Sequence, residues 1–298
     1  MQKKRMYLLI LIMVIVFSVL AGCGGGKTEE LTVLPIPEET EEPIMEEAVE
    51  DTAEPTVAPT EEPTAEPTTE PTEEPTAEPE ITVPEYSDDK LIVIDAGHQA
   101  KGNSEKEPIG PVASEMKAKV TGGATGGTTG QKEYELNLAV SFYLRDELVA
   151  RGYEVIMVRE SHDVNLSNSE RAQVANQAGA DAFIRIHANG SDNTTVNGTE
   201  TLCQTAGNPY NASIYPLSRS LSGHVLKGIV NQTSSKDRGV KETDTMSGIN
   251  WCNVPTTIVE MGFLSNPDED ALLFTEEYRK KVALGIANGI DAYFEENT

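Results

Sequence analysis

Residues 89–298 are expected to fold as one α/β domain of three layers, with a largely parallel sheet flanked by helices. Three observations predict it. Short apolar runs alternate with helix-spaced segments along 91–298, the order that builds parallel sheets through crossover helices. The stretch is long enough for one sizeable core. Polar residues able to do chemistry gather at the carboxyl ends of the strand-like runs, where such sheets keep their ligands. In order, Leu91-Ile92-Val93-Ile94 reads as a buried strand. Glu135 to Ala150 carries Leu138, Phe142 and Leu148 at helical spacing and stops before Gly152. Tyr153 to Val158 is the next strand. Ser167 opens a helix reaching about Ala178, and Glu170 completes a capping box. Asp181 to His187 is a strand, 211–231 a helix despite Pro216, and Thr256 to Glu260 a strand. Asp268 to Phe294 holds one or two helices.

The chain carries 49 acidic and 23 basic residues, a formal net charge of −26, but unevenly. Residues 91–298 hold 27 acids and 18 bases, a net of −9, whereas 27–90 hold 22 acids against Lys27 and Lys90. No stretch concentrates the basic side chains needed to neutralise phosphates, so nucleic acid is not an expected partner. Residues 1–22 read as an export signal: Lys3, Lys4 and Arg5, an apolar run of 15 residues from Met6 to Leu20, then Ala21 and Gly22. That run is short of the ~20 residues of a membrane span. Leu20-Ala21-Gly22-Cys23 resembles the bacterial lipobox, which would make Cys23 a lipidated anchor; a plain signal or an uncut helix is the alternative. Residues 23–88 then form a spacer in which 11 of the 17 prolines fall, mixed with Thr and mutually repelling Glu. With so little apolar surface to bury, it is expected to stay extended and disordered.

Three strand ends bear polar groups that apolar strands do not need: Asp95-Ala96-Gly97-His98, Arg185-Ile186-His187-Ala188-Asn189 and Val259-Glu260-Met261-Gly262. Either histidine alone would be an ordinary structural residue. Two histidines with carboxylates at one sheet edge are what a catalytic zinc site needs, three protein ligands and an open position.

Those motifs, with Glu133-Tyr134-Glu135-Leu136-Asn137-Leu138 and the continuation Phe263-Leu264-Ser265-Asn266, resemble the zinc-dependent N-acetylmuramoyl-L-alanine amidases, in order along 90–296. The resemblance implies their fold, an α/β domain similar to zinc-dependent exopeptidase-like amidases. It implies one Zn2+ held by His98, Glu133 and His187, with Glu260 as catalytic general base and acid. The implied substrate is peptidoglycan, cut at the amide joining N-acetylmuramic acid to L-alanine. Glu133 has the family's spacing, five residues before Leu138; Glu135 is its nearest rival and otherwise reads as a first-turn acid favoured by the helix dipole. The expected location is extracytoplasmic, lipid-anchored at the outer face of the cytoplasmic membrane, with a monomer as the default. Two other readings compete: another zinc hydrolase such as a stem-peptide peptidase, which would want more Asp and His ligands, and a lipoprotein that binds wall without cutting it.

Further residues carry weaker expectations. Arg185 shares a strand face with His187, and either binds a substrate carboxylate or pairs with a neighbouring acid. Asn189 is a second candidate substrate contact. His162 and His224 read as surface histidines. Residues 99–132, rich in glycine, read as a long loop beside the site, a groove wall or lid. Cys203 and Cys252 either form a disulfide, as an exported domain allows, or stay buried thiols, the reading preferred here, and Trp251 and Asn250 either touch substrate or pack in the core.

Overall fold

The structure, a computed structural model, describes residues 90–297; the signal, Cys23 and the spacer lie outside the described residues. Eight strands are present: β1 (Leu91–Ala96), β2 (Asn103–Pro108), β3 (Met116–Val120), β4 (Glu154–Met157), β5 (Ala182–Asn189), β6 (Thr199–Cys203), β7 (Asp237–Glu242) and β8 (Thr256–Phe263). The helices are α1 (Glu133–Ala150), α2 (Asn168–Ala178), α3 (Tyr215–Thr233), α4 (Ser247–Asn250), α5 (Pro267–Leu273) and α6 (Glu276–Asn297). The main sheet has the order β4-β1-β5-β8-β6-β7, while β2 and β3 form a separate antiparallel hairpin. All pairings in the main sheet are parallel except β6 with β8.

Strand alternation sorts the core into two layers. Ile92 and Ile94 of β1, with Ala182, Ile184 and Ile186 of β5, face α1, α3 and α6. Leu91, Val93 and Phe183 point the other way, onto Ala172, Ala175 and Ala178 of α2. Burying each large apolar side chain contributes about 1.5–3 kcal/mol, so residues covered on both faces keep β1 and β5 inside the sheet, away from its edges. Ser167 caps α2 as its sequence signals: its hydroxyl accepts from the Glu170 N–H, and the Glu170 carboxylate accepts from the Ser167 N–H.

Helices α3 and α6 meet at backbone contact. A methyl group at Gly289 would stand 2.5 Å from Val225 Cα, and one at Gly285 would stand 2.7 Å from Ile229 Cα. Only glycine permits that approach. No helix among the described residues is long and apolar enough to cross a membrane.

Residues 99–132 are not the irregular loop expected, because β2 and β3 lie within them. Asn-Ser-Glu-Lys-Glu-Pro of β2 offers almost no apolar side chain, so it gives no strand signal; its conformation comes from pairing and from Glu107, buried against the Ser169 N–H and hydroxyl. The same holds for β7, a polar edge strand whose neighbour β6 supplies its pairing.

Candidate active site

Three strand ends and one helix start converge. His98 follows β1, His187 and Glu260 sit in adjacent register on β5 and β8, and Glu133 opens the first turn of α1. Glu133 Oε1 lies 3.1 Å from His98 Nε2 and 3.2 Å from His187 Nδ1. The two imidazoles stand edge to face, 4.7 Å between centroids. Their ligating atoms and the carboxylate all fall within 4.8 Å of one another, a set able to hold a metal ion. The donors are two imidazoles and one carboxylate, a combination suited to zinc, and His187 Nε2 is buried without a hydrogen-bond partner. On those observations the residues fit a zinc ion.

The backbone is shaped around this cluster. His98 adopts a left-handed conformation, φ 61°, which a non-glycine residue holds only when its surroundings impose it. Its carbonyl accepts from Arg171 Nη2 at 3.0 Å, and its Nδ1 lies 3.0 Å from the Thr121 carbonyl. A Cβ on Gly97 would collide with the His187 ring, and one on Gly123 would stand 2.9 Å from both Glu133 Oε2 and His98 Cδ2. Glu133 Oε1 also accepts from the Ala188 N–H at 3.1 Å and from Asn137 Nδ2 at 3.2 Å, while Oε2 accepts from the Ala124 N–H at 2.7 Å.

Electrostatics follow from these contacts. Burial alone would raise the Glu133 carboxyl, but hydrogen bonds and charge from His187 and His98 hold it well below the usual range. Burial pushes His187 down to about 4, keeping the ring in the neutral form that ligates metals. Burial, then the negative charges of Glu133 and Glu200, push Glu260 well above the ordinary carboxylate value. Its Oε2 is buried with no partner. Such surroundings favour the protonated form of a carboxyl group.

A groove of about 420 Å³ opens over His98, His187 and Glu260, walled by the β2–β3 hairpin on one side and by 245–248 on another. Larger hollows lie between α3 and α6 and beside Lys101; neither gathers a comparable set of ligating groups. Arg185 lines the groove, but its Nε donates to Asp95 at 2.9 Å and its Nη2 to Asn168 at 2.8 Å. Asn189 donates to Glu200 at 3.0 Å and accepts from the Gly190 N–H. Glu135 is away from the cluster, its carboxylate turned to the Lys132 N–H. His162 is exposed against Tyr134, and His224 lies 2.8 Å from Glu296. Cys203 and Cys252 are buried, free thiols that burial raises to about 11. Trp251 Nε1 donates to the Pro108 carbonyl and Asn250 to the Ile109 carbonyl, tying down the hairpin.

Three supporting residues are given no role by the motifs, although Asn137 stands inside one of them. Asn137 lies one helical turn from Glu133, the i,i+4 neighbour on its face, a spacing the sequence displays. Arg171 joins Asp95, fully buried, at 2.7 Å. Glu200 stands in register with Glu260 across β6 and β8.

The fold and site define a hydrolase-type α/β domain with a carboxylate and two imidazoles at the sheet edge. A family model described as N-acetylmuramoyl-L-alanine amidase matches residues 92–292, and a second, described as a PT disordered repeat, matches 46–81. The chain belongs to the N-acetylmuramoyl-L-alanine amidase family. It is 33% identical over 207 residues to the YqiI protein of Bacillus subtilis strain 168, covering 70% of this chain and 86% of that one. It is 31% identical over 165 residues to the N-acetylmuramoyl-L-alanine amidase LytC of the same organism, covering 55% of this chain and 32% of that longer one. Among solved structures, the N-acetylmuramoyl-L-alanine amidase of Clostridium difficile 630 superposes with a TM-score of 0.58 at 26% identity, over 71% of this chain and 100% of that one. The catalytic domain of CwlV from Bacillus (Paenibacillus) polymyxa var. colistinus gives 0.53 at 29% identity, over 69% and 98%.

Proposed function

We propose that the protein hydrolyses the amide between the lactyl group of N-acetylmuramic acid and the L-alanine of peptidoglycan stem peptides. One zinc ion would be held by His98, Glu133 and His187. The observation that carries this is the meeting of those three side chains, with His98 and His187 lining the groove, Glu133 buried behind them and Glu260 paired with His187 on the neighbouring strand. When bound, zinc polarises the amide carbonyl and makes hydroxide available near neutral pH. Glu260 accepts the proton of the attacking water and delivers it to the departing amine, the role its raised pKa and free Oε2 support. Asn137 and the Ala188 N–H orient the Glu133 carboxylate, and Arg171 holds the His98 backbone in its left-handed turn.

Of the two roles open to Arg185, the ion pair fits its geometry better: its guanidinium is turned to Asp95 and Asn168, and it serves as groove wall. Asn189 likewise braces Glu200. In the same reading, 1–22 export the chain, Cys23 anchors it at the outer face of the cytoplasmic membrane, and 23–88 let the domain reach the wall as a monomer.

The test incubates the full chain with purified peptidoglycan, with and without added zinc, and identifies new ends by mass spectrometry. Free L-alanine amino termini beside intact muramic acid, absent for Glu260→Ala and restored by zinc after chelation, are expected. Cuts within the stem peptide would replace this reading with a peptidase, and wall retained without cuts would replace it with a binding protein.

A further inference from the structure

Resting on the amidase reading, the structure assigns Lys106 as a specificity residue that selects acyl peptides bearing a free carboxylate near the scissile amide. Strands β2 and β3 carry Glu105, Lys106, Glu107, Lys117 and Lys119. Lys119 donates to Glu105 at 2.8 Å. Glu107 is buried and accepts from Ser169. Lys117 crosses to the Thr245 carbonyl at 2.6 Å, joining the two groove walls.

Lys106 alone of the five has neither a hydrogen bond nor an ion pair among the described residues, and it lines the groove with His98, His187 and Glu260. Register explains its direction. Lys106 pairs with Ala118 across the hairpin, and Met116 lies two residues along the same face; all three line the groove, while Glu107, in the alternate position, is buried against Ser169.

The charge of the groove points to the ligand. Lys106, Lys117 and Arg185 line it, and Glu260 is the only carboxylate among its lining residues. The surrounding stretch 91–298 is acidic, with a net charge of −9, so a basic groove runs against the rest of the domain. Arg185 is turned to Asp95, a carboxylate it shares with Arg171, and Lys117 Nζ is engaged by the Thr245 carbonyl. That leaves the Lys106 ammonium to meet an anion. A stem peptide supplies one: its second residue carries a free carboxylate when it is isoglutamate and none when it is isoglutamine.

The experiment measures kcat and KM of the full-length zinc-loaded chain on two synthetic muropeptides identical except for isoglutamate or isoglutamine at that position. Wild type is expected to favour the carboxylate peptide by about fivefold in kcat/KM, mostly through KM, as one partly screened charge pair provides. The preference should shrink as salt rises, since the lysine is exposed. Lys106→Met should abolish the preference, Lys106→Arg should keep it, and Lys119→Met, paired with Glu105, should leave it unchanged. Equal cleavage of both peptides by wild type, or a preference that survives Lys106→Met, overturns the assignment and leaves the amidase reading standing. Cleavage of neither peptide overturns both.

Discussion

Asp95 is the residue whose loss should be felt most widely, although it touches no substrate. Its carboxylate is fully buried and accepts from Arg171 Nη1 at 2.7 Å and from Arg185 Nε at 2.9 Å. Replacing it in Asp95→Asn keeps the shape but leaves two buried guanidinium groups facing a neutral amide. Removing one partner of a buried ion pair costs about 3–5 kcal/mol, and no discount for solvent applies where exposure is zero. In a domain of this size each kcal/mol moves Tm by about 2–4 °C, so a fall of about 6–20 °C is expected. The pH dependence carries a sign. Burial opposes ionisation of Asp95, but Arg171 and Arg185 outweigh it and hold the carboxyl well below its usual value. Its contribution is therefore complete above the unfolded carboxylate pKa of about 4 and is lost as pH falls toward the folded one. Thermal unfolding of wild type and Asp95→Asn across pH 2.5–8 should show a constant gap above about pH 5 that narrows below about pH 4. A Tm within about 2 °C of wild type at pH 7, or a gap indifferent to acid, would refute the reasoning.

Other outcomes follow from particular contacts. Gly289→Ala should lower stability by about 1–3 kcal/mol, because its methyl would stand 2.5 Å from Val225 Cα in a helix pair with no slack; urea midpoints measure it. Glu260→Gln should cost roughly 10²–10⁴ in kcat as proton transfer is lost. Measured in chelator, the same variant should be more stable than wild type at neutral pH. A carboxyl raised on folding destabilises once pH passes its unfolded value, so the advantage appears above about pH 4 and is absent below it. Zinc should raise the Tm of wild type, by about 2.7 kcal/mol of stability at a hundredfold excess over Kd. His98→Ala should abolish that shift in a scanning calorimeter.

How much of this could be read in the chain depends on where each residue's information lies. β1 and β5 announce themselves because both of their faces are apolar, and α2 because Ser167 and Glu170 state a cap in adjacent letters. β2 and β7 are silent, since their conformation is imposed by partners distant in sequence or by an edge position. The site divides in the same way. His98, Glu133, His187 and Glu260 stand in recognisable short motifs, and the fold brings the first three within 4.8 Å. The brace between Arg171 and Asp95 spans 76 positions and cannot be found from either end. Arg185 illustrates the limit: the strand period gives its face, yet only the fold shows which acid lies opposite.

The connection from His98 to Glu133 begins and ends at groups held largely from outside the hairpin, and where the connection itself touches them it does so through Thr121 and Ala124, beyond β3. The His98 carbonyl is held by Arg171 and the Glu133 carboxylate by Asn137 and the Ala188 N–H, none of them in the hairpin. Strands β2 and β3 can therefore change in sequence while the reacting centre keeps its shape. Chemistry and selectivity occupy separable parts of the chain, which makes 103–120 a natural cassette: transplanted between relatives, it should carry peptide preference with it and leave turnover behind.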